Sequence, residues 1–460
     1  MTKVYCARWV LPISSAAIEA GALAVEGQQI AAVGTRAALI TQFPEATICD
    51  LGESAIIPGL VNAHSHLELT AMRGFLEREE HDFFAWLKKL TLARLERMTA
   101  DDLNVSAAWG ACEAARAGVS SVADASDSAL QSMNALREVG LRGIVFQESF
   151  GPDPRLAGEN FQKLRDKIAV LREHETHLVK CGVSPHSPYT VSATQLEMIA
   201  GLALDRQLPL MMHAAETKME VSFLREGTGP FAEGLRSRGI EWRPPGVSPI
   251  QYLNDRGVLK TSPLLAHCIH IDEAELETLK KTGTRVAHCP KSNAKLGHGV
   301  APLAKMMEKG IAVGLGSDSV ASNNTCDLLE EARFAMLLAR SVPRDTHESR
   351  GITCDDVLRV ATSEAARSLG LRDQVGELKQ GLQADFAAVS LEGAHQIPSY
   401  GVADTLIFAS SGHDVHLTVV AGREVYRDGR VTTVDEDRLR ARMKEIATKL
   451  PLENQESSRG

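Results

Sequence analysis

The chain has 460 residues, of which 44% are hydrophobic, 24% charged and 5% aromatic; 50 Lys+Arg face 59 Asp+Glu, a formal charge of −9. This composition excludes disordered, collagen-like and coiled-coil chains. The negative balance, with no basic arm, excludes a nucleic-acid binder held by phosphate contacts.

The N-terminus, MTKVYCARWVLPISSAAIEAGAL, lacks the charged segment and long apolar core of a secretory signal. No apolar run is long enough to cross a bilayer. Cysteines fall at 6, 49, 112, 181, 268, 289, 326 and 354, never as C-x-x-C. They read as reduced thiols, so a soluble, cytoplasmic protein without a membrane partner is expected. Residues 1–57 hold short segments such as Ala22–Val25 and Gln29–Val33, punctuated by Gly and Pro, which read as antiparallel β.

From residue 58 the pattern changes. Apolar, β-branched runs predict strands at Gly59–His66, Val119–Ala125, Arg142–Glu148, Val179–His186, Leu208–Glu216, Leu264–His270, Arg285–Pro290 and Ile311–Asp318. Amphipathic stretches between them, including Asp82–Arg97, Asp102–Ala117, Ser192–Asp205 and Leu328–Ala339, predict helices. Eight β-then-α units point to an α/β fold, a closed (β/α)8 barrel over residues 58–365, although counting leaves a doubly wound sheet open. The connection Thr217–Ser262, with Gly227, Gly229 and Pro244-Pro245-Gly246, is long enough to cover a site. Residues 366–435 return to short β segments: Phe386–Val389, Leu417–Val420 and Glu424–Tyr426. Neither flank has many apolar positions, so residues 1–57 and 366–435 are expected to form one small β-sandwich beside the barrel. Residues 436–460 read as a charged helix, Glu436–Leu450, and a polar, frayed tail, Glu453–Gly460.

Chemistry concentrates where strands end. In PGLVNAHSHLE, strand alternation makes His64 and His66 project together at the C-terminal end of the first barrel strand. That end is the catalytic face of such barrels. Two neutral imidazoles there suit a divalent ion such as zinc; alternatively they are a pair of core or surface histidines. The same signal recurs in LPLMMHAAE (His213), LLAHCIH (His267) and IAVGLGSD (Asp318). A polar side chain ending a buried strand must find a partner. Several converging on one barrel mouth point to a metal site. Other metal or nucleotide signatures are missing: His66-Leu67-Glu68 has no following P-C-x-x-C, and HExxH, G-x-x-x-x-G-K-[ST] and G-x-S-x-G do not occur.

The motifs PGLVNAHSH (58–66), SPHSPYTVS (184–192), MHAAETKME (212–220), AHCIH (266–270), HCPKSNAKLGHG (288–299) and GLGSDSVASNN (314–324) resemble, in order, the amidohydrolase superfamily. The nearest branch contains methylthioadenosine/S-adenosylhomocysteine deaminases, s-triazine chlorohydrolases and guanine deaminases. The resemblance implies a metal-bearing (β/α)8 barrel with a sandwich from both termini. It implies His64, His66, His213 and Asp318 as metal ligands. Binuclear members carry a carboxylated lysine on strand four; here the nearest lysine, Lys180, lies near that strand's start. One divalent ion per chain, zinc or iron, is therefore implied. The resemblance makes Glu216 the proton carrier, although a carboxylate there also suits a helix N-terminus. His267 would orient the attacking water, and Asp318 would accept its proton. The implied reaction removes a ring amino group as ammonia.

For the substrate, a purine nucleoside type of small molecule, the resemblance implies contacts from His186 and Trp86. The branch's ribose-binding glutamate aligns near Leu95 or Glu96, and Glu68 stands where an apolar residue is common; Glu68 or Glu96 is a candidate for the sugar hydroxyls. HSHLELTAMRG, FFAWLKKLTLAR and FLREGTGPFAEGL look like aminodeoxyfutalosine deaminases, which act in menaquinone synthesis by the futalosine route. The alternatives are a methylthioadenosine/S-adenosylhomocysteine deaminase, a guanine or s-triazine aminohydrolase, an amide hydrolase, or a non-catalytic scaffold. A homo-oligomer is compatible with the sequence.

Overall fold

The structure is a computed structural model, and it describes residues 2–342 and 351–451. The barrel strands are β6 (Leu60–Ser65), β7 (Val119–Ser126), β8 (Arg142–Ser149), β9 (Val179–Pro185), β10 (Met211–Ala214), β11 (Leu264–His267), β12 (Arg285–His288) and β13 (Val313–Leu315); β1–β5 and β14–β17 lie outside it. They form two parallel four-stranded sheets, β6-β7-β8-β9 and β10-β11-β12-β13. Bridges Val183–Leu210 and Ser65–Asp318 join the sheets at both edges and close the ring. At the closures His213 N–H donates to His186 O, and Asp318 N–H to His64 O, both at 2.9 Å. Closure leaves no open edge and seats candidate site residues at the two seams.

Several strands are shorter than their apolar runs. Pro209 has no N–H to give a ladder, and Ala215 takes a left-handed backbone at φ 53°, so the run 208–216 pairs only over Met211–Ala214. His267 (φ 74°) and Asp318 (φ 56°) likewise turn the chain out of β11 and past β13. β6 shifts register against β7 between Asn62 and Ser65 and ends there, so Glu68 lies on the 3-10 turn Leu67–Met72 rather than on a continued strand.

The chain ends build one nine-stranded sheet in the order β17-β16-β15-β14-β5-β1-β2-β3, with β4 beside β1. Its strands are β1 (Thr2–Val10), β2 (Ile18–Glu26), β3 (Gln29–Thr35), β4 (Thr47–Asp50), β5 (Ser54–Pro58), β14 (Phe386–Ser390), β15 (Val415–Val420), β16 (Arg423–Arg427) and β17 (Arg430–Val431). The sheet curls back on itself: Ile30 N–H donates to Leu382 O and Ala384 N–H to Gln28 O. Tyr5, Val10, Leu23, Ile56, Phe386 and Leu417 share the enclosed core. The N-terminal flank is not purely antiparallel as expected. β1 pairs in parallel with β4 and β5, because the Thr35-capped helix Arg36–Gln42 carries the chain back across the sheet. The helix Glu436–Lys449 follows; the tail Glu453–Gly460 lies outside the described residues. All eight cysteines are free. Among the described residues, no helix is long and apolar enough to cross a membrane.

One buried ion pair ties the curled sheet to the barrel. Arg142, at the start of β8, donates from Nε and Nη2 to both carboxylate oxygens of Asp385 at 3.0 and 3.1 Å. Their side chains are 4% and 1% exposed. Asp385 Oδ1 also accepts Ala421 N–H. Arg142→Met strands that carboxylate in the interior, and a loss of about 3–5 kcal/mol is expected. Urea unfolding of the variant against the wild type checks it; an unchanged midpoint contradicts it.

Candidate active site

At the C-terminal mouth of the barrel the chain places six of the singled-out residues together. Ligating atoms of His64, His66 and His213 all lie within 4.8 Å of one another. Asp318 Oδ1 is 3.4 Å from His64 Nε2 and 3.6 Å from His66 Nε2. Asp318 Oδ2 is held by the hydroxyls of Ser292 at 2.5 Å and Ser322 at 3.1 Å. This leaves the other oxygen facing the imidazoles. Gly316 is required beside them, since a Cβ there would lie 2.8 Å from His64 Cβ.

The hydrogen bonds of the rings decide what these atoms can hold. His213 Nδ1 donates to His186 O at 2.9 Å, which leaves Nε2 as a lone pair. Burial pushes His66 down to about 3, into its neutral form, and the ring is also hydrogen-bonded to the Ala125 backbone. The Nε2 atoms of His66 and His213 nevertheless face each other at 3.3 Å. His64 Nε2 is buried with no hydrogen-bond partner among the described residues. Lone pairs that converge on one another and an orphaned buried nitrogen fit a cation between them, and three imidazoles with a carboxylate are a zinc-type donor set.

Glu216 sits beside this cluster, 5% exposed, in the turn between β10 and the helix Lys218–Glu226. Its Oε1 is 3.7 Å from His267 Nε2 and 3.6 Å from His298 Nε2. Burial raises its carboxyl above the usual range, and the Asp318 charge adds to the rise. His267 is oriented by Nδ1 donating to Asn293 Oδ1 at 2.9 Å. The turn itself is fixed by Glu220, whose two oxygens accept the N–H groups of Ala215 and Glu216, each at 2.9 Å. Left-handed backbone at Ala215, His267 and Asp318 concentrates strain where these side chains emerge.

Sequence reading singled out neither Glu220, Ser292, Asn293 nor His298 for these contacts. All four lie inside the motifs MHAAETKME and HCPKSNAKLGHG, so the signal was their position a few residues past a chemistry-bearing strand end.

The mouth opens into a cavity of about 1090 Å³, whose wall includes Glu68, Trp86, Glu148, His186, Tyr189 and Phe231. His186 is anchored through Nδ1 to Thr190 Oγ1 at 2.9 Å. Trp86 stacks on Phe83 at 5.9 Å between ring centroids. The connection 217–262 is ordered into helices Lys218–Glu226, Pro230–Ser237 and Pro249–Asp255, and it brings Phe231 flat against Tyr189 at 3.9 Å. Glu68 lies in the wall, but its oxygens are occupied: Oε1 accepts from Arg94 Nε at 3.1 Å, and Oε2 from Ser126 Oγ and Ser128 N–H. Glu96 is exposed and absent from the wall, while Leu95 reaches it at 66% exposure.

Comparison with known proteins agrees with this architecture. Residues 55–425 match the amidohydrolase family, and residues 21–46 an imidazolonepropionase-like composite domain of bacteria. The chain is 31% identical over 429 residues, 93% of each chain, to the 5-methylthioadenosine/S-adenosylhomocysteine deaminase of Syntrophobacter fumaroxidans. It is 32% identical over 446 residues to that of Symbiobacterium thermophilum, covering 96% of this chain and 97% of the relative. An adenosine deaminase from Xanthomonas campestris, crystallised with bound zinc, superposes with a TM-score of 0.81 at 25% identity, over 97% of this chain and 98% of that one.

Proposed function

The chain belongs to the amidohydrolase family and is a hydrolytic enzyme, and from that premise we propose that it is a metal-dependent deaminase of adenine nucleosides, releasing the 6-amino group as ammonia. The observation that carries this reading is the convergence of His64, His66, His213 and Asp318 on one point beside the buried Glu216.

His64, His66, His213 and Asp318 would hold one divalent ion, zinc or iron. Such an ion supplies Lewis acidity that lets water attack near neutral pH. Asp318 accepts the water's proton. His267, held by Asn293, keeps that water on line for the amino-bearing ring carbon. Glu216 delivers a proton to the neighbouring ring nitrogen, which turns the ring carbon into a better electrophile. It then takes up the remaining proton of the attacking oxygen, which restores its acid form, while Asp318 hands the proton it accepted to the amino group, which departs as ammonia. Burial shifts the Glu216 carboxyl toward its acid form, the direction this role requires. Trp86 offers a flat apolar surface for the base, and His186 a polar contact at its edge.

The favoured substrate is aminodeoxyfutalosine, which would set the enzyme in menaquinone synthesis. A cavity of about 1090 Å³ with apolar side chains in its wall, Leu95, Phe150 and Leu156, supports a substrate with an extended 5′ arm. The naming of the relatives favours a second reading, 5′-methylthioadenosine or S-adenosylhomocysteine. Ammonia release from aminodeoxyfutalosine, methylthioadenosine, S-adenosylhomocysteine, adenosine and guanine, compared as kcat/KM on one preparation, decides. Aminodeoxyfutalosine is expected to lead. A lead for methylthioadenosine keeps the nucleoside class and removes the favoured member; a lead for guanine removes the class.

A further inference from the structure

We propose that Glu148 is the residue that reads the sugar of the substrate, accepting hydrogen bonds from its vicinal hydroxyls in a polar subsite beside the metal donors. This rests on the adenine-nucleoside reading above and deepens it. Glu148 is the penultimate residue of β8, it is 6% exposed, and it lines the cavity. Its Oε1 is buried with no hydrogen-bond partner among the described residues. Leaving a buried carboxylate oxygen unmatched is costly, so a group kept in that state in a cavity wall points to a partner that arrives with a ligand.

The surroundings narrow what that partner is. The neighbouring acids are already committed. Glu68 is bound by Arg94, Ser126 and Ser128; Asp127 takes Arg94 Nη2 at 3.1 Å and Lys167 Nζ at 2.8 Å. Arg94 is thus held between two carboxylates, and among the described residues no cation is hydrogen-bonded to Glu148 Oε1. A neutral ligand with hydroxyl donors suits such a wall better than an anion.

A second metal ion is the competing occupant, because ligating atoms of Glu148, His186 and His213 also lie within 4.8 Å of one another. His213 cannot serve both groups. Its Nδ1 is spent on His186 O, and its Nε2 faces His66. The same 4.8 Å limit puts Glu148 next to His186, the residue proposed to meet the edge of the base. A sugar attached to that base comes within reach of the carboxylate, and two carboxylate oxygens match two adjacent hydroxyls.

The test pairs enzyme and substrate deletions. Adenosine, 2′-deoxyadenosine and 3′-deoxyadenosine are assayed with wild type, Glu148→Gln and Glu148→Ala, with metal content and Tm measured on each protein. Wild type is expected to prefer adenosine by about 10²-fold in kcat/KM, since a site built for a hydroxyl rejects the analogue lacking it. In Glu148→Ala that preference is expected to shrink to a few-fold, through KM for adenosine, with metal content and Tm unchanged. Glu148→Gln preserves side-chain shape and serves if the alanine variant does not fold; its preference is expected to fall as well. An equal loss on all three nucleosides, a wild-type preference near one, or loss of metal from the variants overturns the assignment. Wild type that deaminates guanine but no adenine nucleoside overturns the deaminase reading beneath it, an outcome distinct from active enzyme with an unchanged hydroxyl preference.

Discussion

Glu216→Gln is expected to keep its metal and its fold while kcat falls by about 10²–10⁴-fold, the range over which a general acid–base group contributes. The substitution removes a proton carrier without changing side-chain size. The turn around it is held by Glu220 through the backbone N–H groups of Ala215 and Glu216, so its geometry does not depend on the Glu216 side chain. Replacing a buried carboxyl by an amide also removes a group whose charged form is disfavoured there. The thermal midpoint is therefore expected to hold or rise. The decisive comparison is kcat against bound metal on one preparation. Near-normal kcat with full metal content takes Glu216 out of the mechanism. A fall in kcat with loss of metal assigns it to metal binding instead.

Chelation is expected to silence the wild type, and one equivalent of zinc or iron(II) per chain to restore it. His213→Ala is expected to bind no metal and to stay inactive after the same addition. The loss in both cases is on the order of 10³-fold or more, the several kcal/mol that Lewis-acid activation supplies. His213 is the informative position because its Nδ1 is fixed on His186 O and its Nε2 can do little else than bind an ion facing His66. Elemental analysis of the replete protein should give one equivalent. Two equivalents, or full activity in the metal-free protein, would sink the single-ion reading.

Much of this architecture is legible in the sequence. All eight barrel strands begin within three residues of the stretches read from apolar runs, because a strand buried on both faces must be apolar throughout. His64, His66, His213, His267 and Asp318 stood out because each closes such a run, where a polar side chain has no reason to be unless it has a partner. Glu148 closes the run GIVFQE in the same way and carried the same signal, which was not used.

What the tertiary structure alone decided is which of these groups remain free. Glu68 looks like a ligand-binding acid in the sequence, yet Arg94, twenty-six residues on, and Ser126, fifty-eight on, occupy it. Glu148 looks unremarked, yet among the described residues its Oε1 has no partner. His298 meets Glu216 from eighty-two residues away, and Arg142 meets Asp385 from two hundred and forty-three. The parallel pairing of β1 with β4 and β5, and the two seams that close the barrel, are likewise set by segments distant in the chain. Periodicity reports whether a residue is buried, because burial follows from the local spacing of side chains along one element. It does not report the partner, because partners are chosen by how elements pack, and a hydrogen bond across 3 Å leaves no trace in the spacing of two residues far apart in sequence.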